Sequence, residues 1–119
     1  MPTPSQKHSD PGRVIERLER ITHVLGNDAS VSDFLEVSRS QLGRWREGQT
    51  PDPENRDRII GLDAVIALLS GFLSVSSIPK WLTGVNAHLD DRRPIGVLRE
   101  GRLSAVIATI EAAKAGAYA

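Results

Sequence analysis

Two short helical segments joined by a tight turn give the strongest local signals in this chain. Ser30 followed by Asp33 predicts a capping box that starts the first helix, and Ser38 followed by Gln41 predicts one for the second. Apolar residues at helical spacing supply their inward face, and they are Phe34, Leu35, Val37, Leu42 and Trp45. The segment therefore predicts two helices that cross after a turn, the layout of a helix-turn-helix.

The second of these helices carries polar side chains on its predicted outer face: Ser38, Arg39, Ser40, Gln41 and Arg44. Arginine fits the major-groove edge of guanine and glutamine that of adenine, so these residues predict binding to duplex DNA. The chain has 15 basic and 15 acidic residues, so the positive charge is local, with Arg46 as a third arginine on this segment. A helical domain that keeps this shape without contacting DNA is the alternative interpretation.

Composition favours an all-α fold. Aromatic residues make up only 4% of the 119 residues, so the core must consist of Leu, Ile, Val and Ala. The chain has no cysteine, which excludes disulfides, thiolate zinc sites and cysteine nucleophiles. The polar beginning predicts a disordered lead over residues 1–10 without a signal peptide, and no apolar run approaches the ~20 residues of a membrane span. These features predict a cytoplasmic protein with no membrane contact.

Helical periodicity continues on both sides of the helix pair. Asp10 and Pro11 predict the start of a first helix, whose arginines and glutamates are interleaved and predict a solvated, self-paired face: Arg13, Glu16, Arg17, Glu19 and Arg20. Asp52 and Pro53 predict the start of a long helix that reaches Leu73 and is apolar around most of its circumference. Such a helix lies either wholly in the internal core or partly against a second subunit, and we expect a homodimer.

The rest of the chain predicts shorter elements and then a last helix. Two short helical pieces are expected near Trp81 and at Ile95 to Arg99, and the last helix spans residues 102–115 and ends at Gly116. The resulting division is a lead over residues 1–10, a helix-turn-helix over residues 11–52, and a second helical domain over residues 53–119.

Candidate catalytic residues are scarce. His88 precedes Asp90 and Asp91, but one imidazole and two carboxylates in one loop predict a solvated turn rather than a metal site. The chain has no phosphate-binding glycine loop and no nucleophile elbow. We therefore expect no enzyme activity, no metal and no cofactor.

The second half carries a pattern that resembles the toxin-binding domain of the Xre/MbcA/ParS antitoxins, namely Trp81, Leu82, Asn86, Leu89, Arg93, Pro94, Ile95, Leu98, Gly101, Val106 and Ile110. With the helix pair upstream, the resemblance covers about residues 11–119. The chain departs from the family pattern at Glu36, where the family usually has glycine, and at Asp90 and Asp91, where it often has a glycine-bearing loop.

The resemblance implies an antitoxin of a bacterial type II toxin–antitoxin pair. The usual partner of that family is a RES-domain toxin that consumes NAD, and the family's antitoxins dimerise and repress their own operon. In that family the C-terminal domain contacts the toxin, which assigns toxin binding to Arg93. The extreme C-terminus enters the toxin's active-site cleft, which assigns it to Gly116, Ala117, Tyr118 and Ala119. The alternative is a stand-alone transcriptional regulator that binds operator DNA and whose C-terminal half only dimerises.

Overall fold

The computed structural model describes residues 11–117 and is all-α over that range, as predicted. The α-helices are α1 (Pro11–Leu25), α2 (Asp28–Leu35), α3 (Arg39–Arg46), α4 (Pro53–Leu69), α5 (Ser77–Thr83), α6 (Pro94–Arg99) and α7 (Leu103–Ala117). A 3₁₀ turn, Ala87–Leu89, lies between α5 and α6. The predicted lead over residues 1–10, including the Asp10 cap, lies outside the described residues, and so do Tyr118 and Ala119.

The start of α2 differs from the prediction. Gly26 has a φ of 102°, which ends α1. Asn27 then adopts an extended backbone, and its side-chain oxygen accepts a hydrogen bond from the Ser30 N–H at 2.9 Å. The predicted capping box at Ser30 is therefore wrong, because Asn27 caps the helix three residues earlier and leaves Ser30 inside its first turn.

The predicted starts of α3 and α4 are confirmed. The Ser38 hydroxyl accepts a hydrogen bond from the Gln41 N–H at 3.0 Å. The Asp52 carboxylate accepts hydrogen bonds from the Asn55 side chain at 2.7 Å and from the Asn55 N–H at 3.3 Å. These hydrogen bonds, the side-chain one above all, hold the pKa of Asp52 below its ordinary value. Each cap satisfies a backbone donor that the first helical turn leaves free.

One continuous apolar core joins all seven α-helices. Trp45 is only 1% exposed and is a core residue, as its spacing from Leu42 predicted. The central helix α4 packs against α1, α2, α6 and α7. Its buried apolar residues belong to this internal core, and they are Ile59, Leu62, Val65, Ile66 and Leu69. The internal alternative therefore accounts for most of the apolar surface of α4, and Leu68 remains as an exposed apolar side chain.

The end of α4 comes earlier than predicted. The helix stops at Leu69, and the Gly71 and Phe72 N–H groups donate to carbonyls three residues back, at 3.2 and 3.1 Å. Glycine has low helix propensity, so Gly71 favours this tight turn over a further helical turn. The predicted end at Leu73 is therefore wrong, and Leu73 packs half-buried against the core from outside the helix.

The basic face of α1 pairs with α4 rather than with itself. Asp63 of α4 is 8% exposed and accepts hydrogen bonds from Arg17 at 2.9 Å and from Arg20 at 3.0 and 2.9 Å. The predicted self-paired face is therefore wrong for these two arginines. The cause is a carboxylate more than 40 residues away, which attracts both guanidinium groups and raises the pKa of Arg20 mainly through its hydrogen bond.

Replacing Asp63 with alanine is expected to lower the free energy of unfolding by roughly 2 kcal/mol. Breaking a buried ion pair costs about 3–5 kcal/mol, but the cost here is smaller because water can solvate the half-exposed Arg20. Urea unfolding followed by circular dichroism measures the change, with Glu19→Ala on the exposed face of α1 as the matched control. An unchanged unfolding midpoint for Asp63→Ala would contradict this role of the carboxylate.

The last helix, α7, runs further than predicted. It begins at Leu103, just after Gly101 with a φ of 83°, and continues through Ala117. The prediction that Gly116 ends this helix is wrong, because Gly116 does not adopt a left-handed backbone and its alanine neighbours favour a helix. No helix among the described residues is long and apolar enough to cross a membrane.

Candidate functional site

The outer face of α3 collects the residues that the sequence predicted for DNA binding. Ser38, Arg39, Ser40 and Arg44 are exposed, and Gln41 is half-buried beside them. On the opposite face, the fully buried side chains of Leu42 and Trp45 fix the helix to the core. The structure therefore brings all five predicted residues together on two turns of one helix.

Two further details shape this surface. The Arg44 guanidinium donates a hydrogen bond to the Gln41 side-chain oxygen at 3.2 Å, so the two polar side chains are arranged relative to each other. Gly43 also faces outward, and a Cβ atom there would meet nothing within 4 Å. Gly43 is a residue of this surface that the sequence analysis missed, and its small size leaves room for a flat surface to approach the helix backbone.

Arg46 does not belong to this outer face. Its guanidinium donates to the Thr22 hydroxyl at 2.8 Å and to the Asp28 carboxylate at 2.7 Å. These contacts tie α3 to α1 and to the start of α2. Of the three arginines that the sequence placed on this segment, Arg39 and Arg44 are therefore the exposed ones.

The turn between α2 and α3 contains the departure from the family pattern. Glu36 has φ 57° and ψ 47°, the left-handed conformation that favours glycine and costs another residue about 1 kcal/mol. Its carboxylate lies 3.1 Å from the Arg99 guanidinium. Arg99 also donates to the Phe34 and Asp33 carbonyls, each at 2.8 Å. The sequence shows the unusual residue at position 36, but no pattern in it points to the partner in α6.

The predicted toxin-binding residues lie on two separate elements. Arg93 is exposed at the residue before α6 and donates a hydrogen bond to the Thr83 carbonyl at 2.7 Å. Gly116 and Ala117 are exposed at the end of α7. Among the described residues, no hydrogen bond joins Arg93 to this end of α7. The helix end and Arg93 are therefore two distinct surface features.

Most residues that carry the C-terminal pattern have structural roles. The aliphatic members of the pattern are buried in the core, and they are Leu82, Leu89, Ile95, Leu98, Val106 and Ile110. Asn86 caps the 3₁₀ turn by accepting a hydrogen bond from the His88 N–H at 3.0 Å. The pattern therefore specifies the fold of this half, and Arg93 is the exposed charged member of it.

The loop after the 3₁₀ turn places two successive aspartates in the left-handed backbone region. Asp90 and Asp91 have φ values of 57° and 62°, and the His88 Nδ1 atom lies 3.1 Å from the Thr109 hydroxyl of α7. Within residues 11–117, no three or more His, Asp and Glu side chains group in a way that could hold a metal ion.

The chain is similar to antitoxins of mycobacteria over most of its length. The mycobacterial cidal antitoxin MbcA of Mycobacterium tuberculosis and Mycobacterium bovis is 30% identical over 89 residues, which cover 74% of this chain and 79% of that protein. A probable mycobacterial cidal antitoxin of Mycobacterium tuberculosis is 33% identical over 88 residues, covering 74% and 76%. No protein-family model and no solved structure matches the chain. The identity and coverage show that the chain belongs to the MbcA family of antitoxins.

Proposed function

We propose that this antitoxin neutralises a cognate NAD-consuming toxin of the RES type and represses its own operon by binding DNA. Neutralisation is assigned to residues 53–119 and DNA binding to residues 11–52, with α2 and α3 as a helix-turn-helix. Membership of the MbcA antitoxin family is the observation that carries the proposal. We propose that it acts in the cytoplasm, where operator DNA and a toxin that consumes cellular NAD would be found.

The exposed face of α3 supports the DNA-binding part of the proposal. Its exposed face presents Arg39, Ser40 and Arg44, and the segment from Ser38 to Arg46 contains no acidic residue, while the opposite face is fixed in the core. A reading helix contacts bases from its N-terminal residues, and a rigid support keeps the side chains in register. This geometry favours the DNA-binding interpretation over a helix pair that has lost its DNA contact.

The end of α7 supports the toxin-binding part. Beyond Ile110 the helix leaves the core, and its last four described residues, Lys114 to Ala117, are all exposed. Alanine and glycine have small side chains, so this helix end is narrow and can fit into a narrow cleft. We assign the toxin contact to Gly116, Ala117, Tyr118 and Ala119, with Arg93 as a separate charged contact.

Co-expression with the product of the adjacent gene tests the main proposal. We expect the two proteins to co-purify, and we expect the NAD-consuming activity of the isolated toxin to fall to background when this chain is added in equal amount. A chain that binds DNA upstream of its own gene but neither binds nor inhibits that product would instead be a stand-alone regulator.

We also propose a homodimer, in which two α3 helices would meet successive major grooves about one DNA turn apart. Most of the apolar surface of α4 is internal, so the part of α4 left for a dimer contact is the exposed surface near Leu68. Sedimentation at tens of micromolar, on the order of a weak-dimer threshold, is expected to give twice the monomer mass. A monomer under those conditions would reject the dimer.

A further inference from the structure

Arg99 joins the end of α6 to the turn that precedes α3. Its Nε and Nη2 atoms donate to the Phe34 and Asp33 carbonyls at 2.8 Å, and its Nη1 atom lies 3.1 Å from the Glu36 carboxylate. One guanidinium thus contacts two carbonyls of the last turn of α2 and the side chain of its C-cap residue, all more than 60 residues away in sequence.

These contacts add hydrogen bonds at the end of α2, where the Asp33 carbonyl also accepts one from the Glu36 N–H at 3.3 Å. The last carbonyls of a helix have no partner inside it, and the helix dipole places partial negative charge there, so a guanidinium fits both requirements. Glu36 is in the left-handed region, and its ion pair with Arg99 favours that conformation. The turn between α2 and α3 is therefore held by a side chain from the other half of the protein.

Arg99 is itself held in place. Its carbonyl accepts a hydrogen bond from Arg58 Nε of α4 at 3.3 Å, and Arg58 also pairs with Glu54 at 3.0 Å. The Arg99 side chain is 25% exposed and its hydrogen bond to the Phe34 carbonyl is partly buried, whereas the Glu36 side chain is 62% exposed. A fixed guanidinium can set the position of the turn, whereas a mobile surface arginine could not.

We propose that Arg99 is a positioning residue for DNA recognition: it sets the α2–α3 turn, and so the orientation of α3, without touching DNA. The inference rests on the proposed DNA-binding function. Because α3 begins two residues after Val37, a shift of the turn displaces Arg39 and Ser40 first. Loss of Arg99 should therefore reduce the preference for operator over other DNA.

The test compares Arg99→Ala with wild-type protein on operator DNA and on a scrambled duplex at fixed salt. We expect operator affinity to fall about tenfold, while affinity for the scrambled duplex and its salt dependence stay unchanged. An arginine that contacts phosphate would instead weaken both complexes and reduce the salt slope by about one. Arg102→Ala, an exposed arginine three residues away, is the matched control and should change neither affinity.

A second variant tests the role of the Glu36 pair. Glycine adopts the left-handed conformation without strain. We therefore expect Glu36→Gly, added to Arg99→Ala, to recover about threefold of the lost operator affinity. Hydrogen exchange should show faster exchange of the amides at positions 36 and 37 in Arg99→Ala, with unchanged exchange in α7. This pattern distinguishes a local change at the turn from global unfolding.

The outcomes separate the inference from the proposed function. Wild-type affinity and specificity in Arg99→Ala would overturn the positioning role while leaving DNA binding intact. A double variant that recovers no affinity would overturn the part assigned to Glu36. A wild-type chain without any preference for its operator would overturn the DNA-binding proposal and this inference together.

Discussion

Replacing Arg39 and Arg44 together with alanine is expected to lower operator affinity by roughly 2–6 kcal/mol, on the order of 30-fold to 10⁴-fold. Each arginine that contacts a base edge is worth about 1–3 kcal/mol, and the two contributions should add if the contacts are independent. Both side chains lie on the exposed face of α3, whose opposite face is buried. The fold should therefore survive the double substitution, and sequence preference at the contacted bases should relax.

Fluorescence anisotropy with a labelled operator at fixed salt measures this loss. Arg13→Ala is the matched control, because Arg13 is an exposed arginine on α1, away from α3. Toxin neutralisation should be unchanged in the double variant, since that activity is assigned to the other half. An equal loss from Arg13→Ala would show that the measurement reports general charge and would reject α3 as the reading helix.

Local chemistry made several elements of this fold predictable. Ser38 and Asp52 cap helices through contacts within three residues, so the sequence alone identified both starts correctly. Trp45 was assigned to the core from its spacing to Leu42, and it is buried. Such features depend on neighbours along one helix, and periodicity reports those neighbours directly.

The predicted start of α2 and the predicted end of α7 were wrong for two different reasons. Ser30 and Asn27 are both good N-cap residues, and the extended backbone after Gly26 placed Asn27 at the cap. Gly116 was interpreted as a helix end because glycine often adopts positive φ there, but it lies in the helix among alanines. A residue type alone does not reveal its backbone angle.

Ion pairs between residues far apart in the sequence could not be predicted from sequence patterns. Asp63 sits in an apolar stretch of α4, and nothing in its neighbourhood shows that two arginines of α1 bind it. Arg99 likewise lies in a short helix with no local partner, and nothing near it in the sequence points to Glu36. The residues on α3 could be predicted as a site because they share one helix, whereas the residue that holds their turn could not.

Ending the chain at Ala115 is expected to impair toxin neutralisation while leaving the fold and DNA binding nearly intact. The last two described residues, Gly116 and Ala117, are exposed and contribute nothing to the core. Their removal should therefore leave the unfolding midpoint unchanged. Growth rescue and residual NAD consumption by the toxin, at matched expression of full-length and shortened chains, measure the loss.

The helical conformation of Gly116 and Ala117 bears on how the C-terminus would bind the toxin. Because α7 continues through Ala117, the residues assigned to the toxin cleft begin as a helix end and not as a loose strand. A helix end loses less conformational freedom on insertion than a free tail does, so more of the contact energy remains for binding. Tyr118→Ala should then cause a partial loss, since burying one aromatic ring is worth about 1.5–3 kcal/mol. If the shortened chain neutralises as well as the full one, the toxin must bind the body of residues 81–110, where Arg93 would be the first residue to replace.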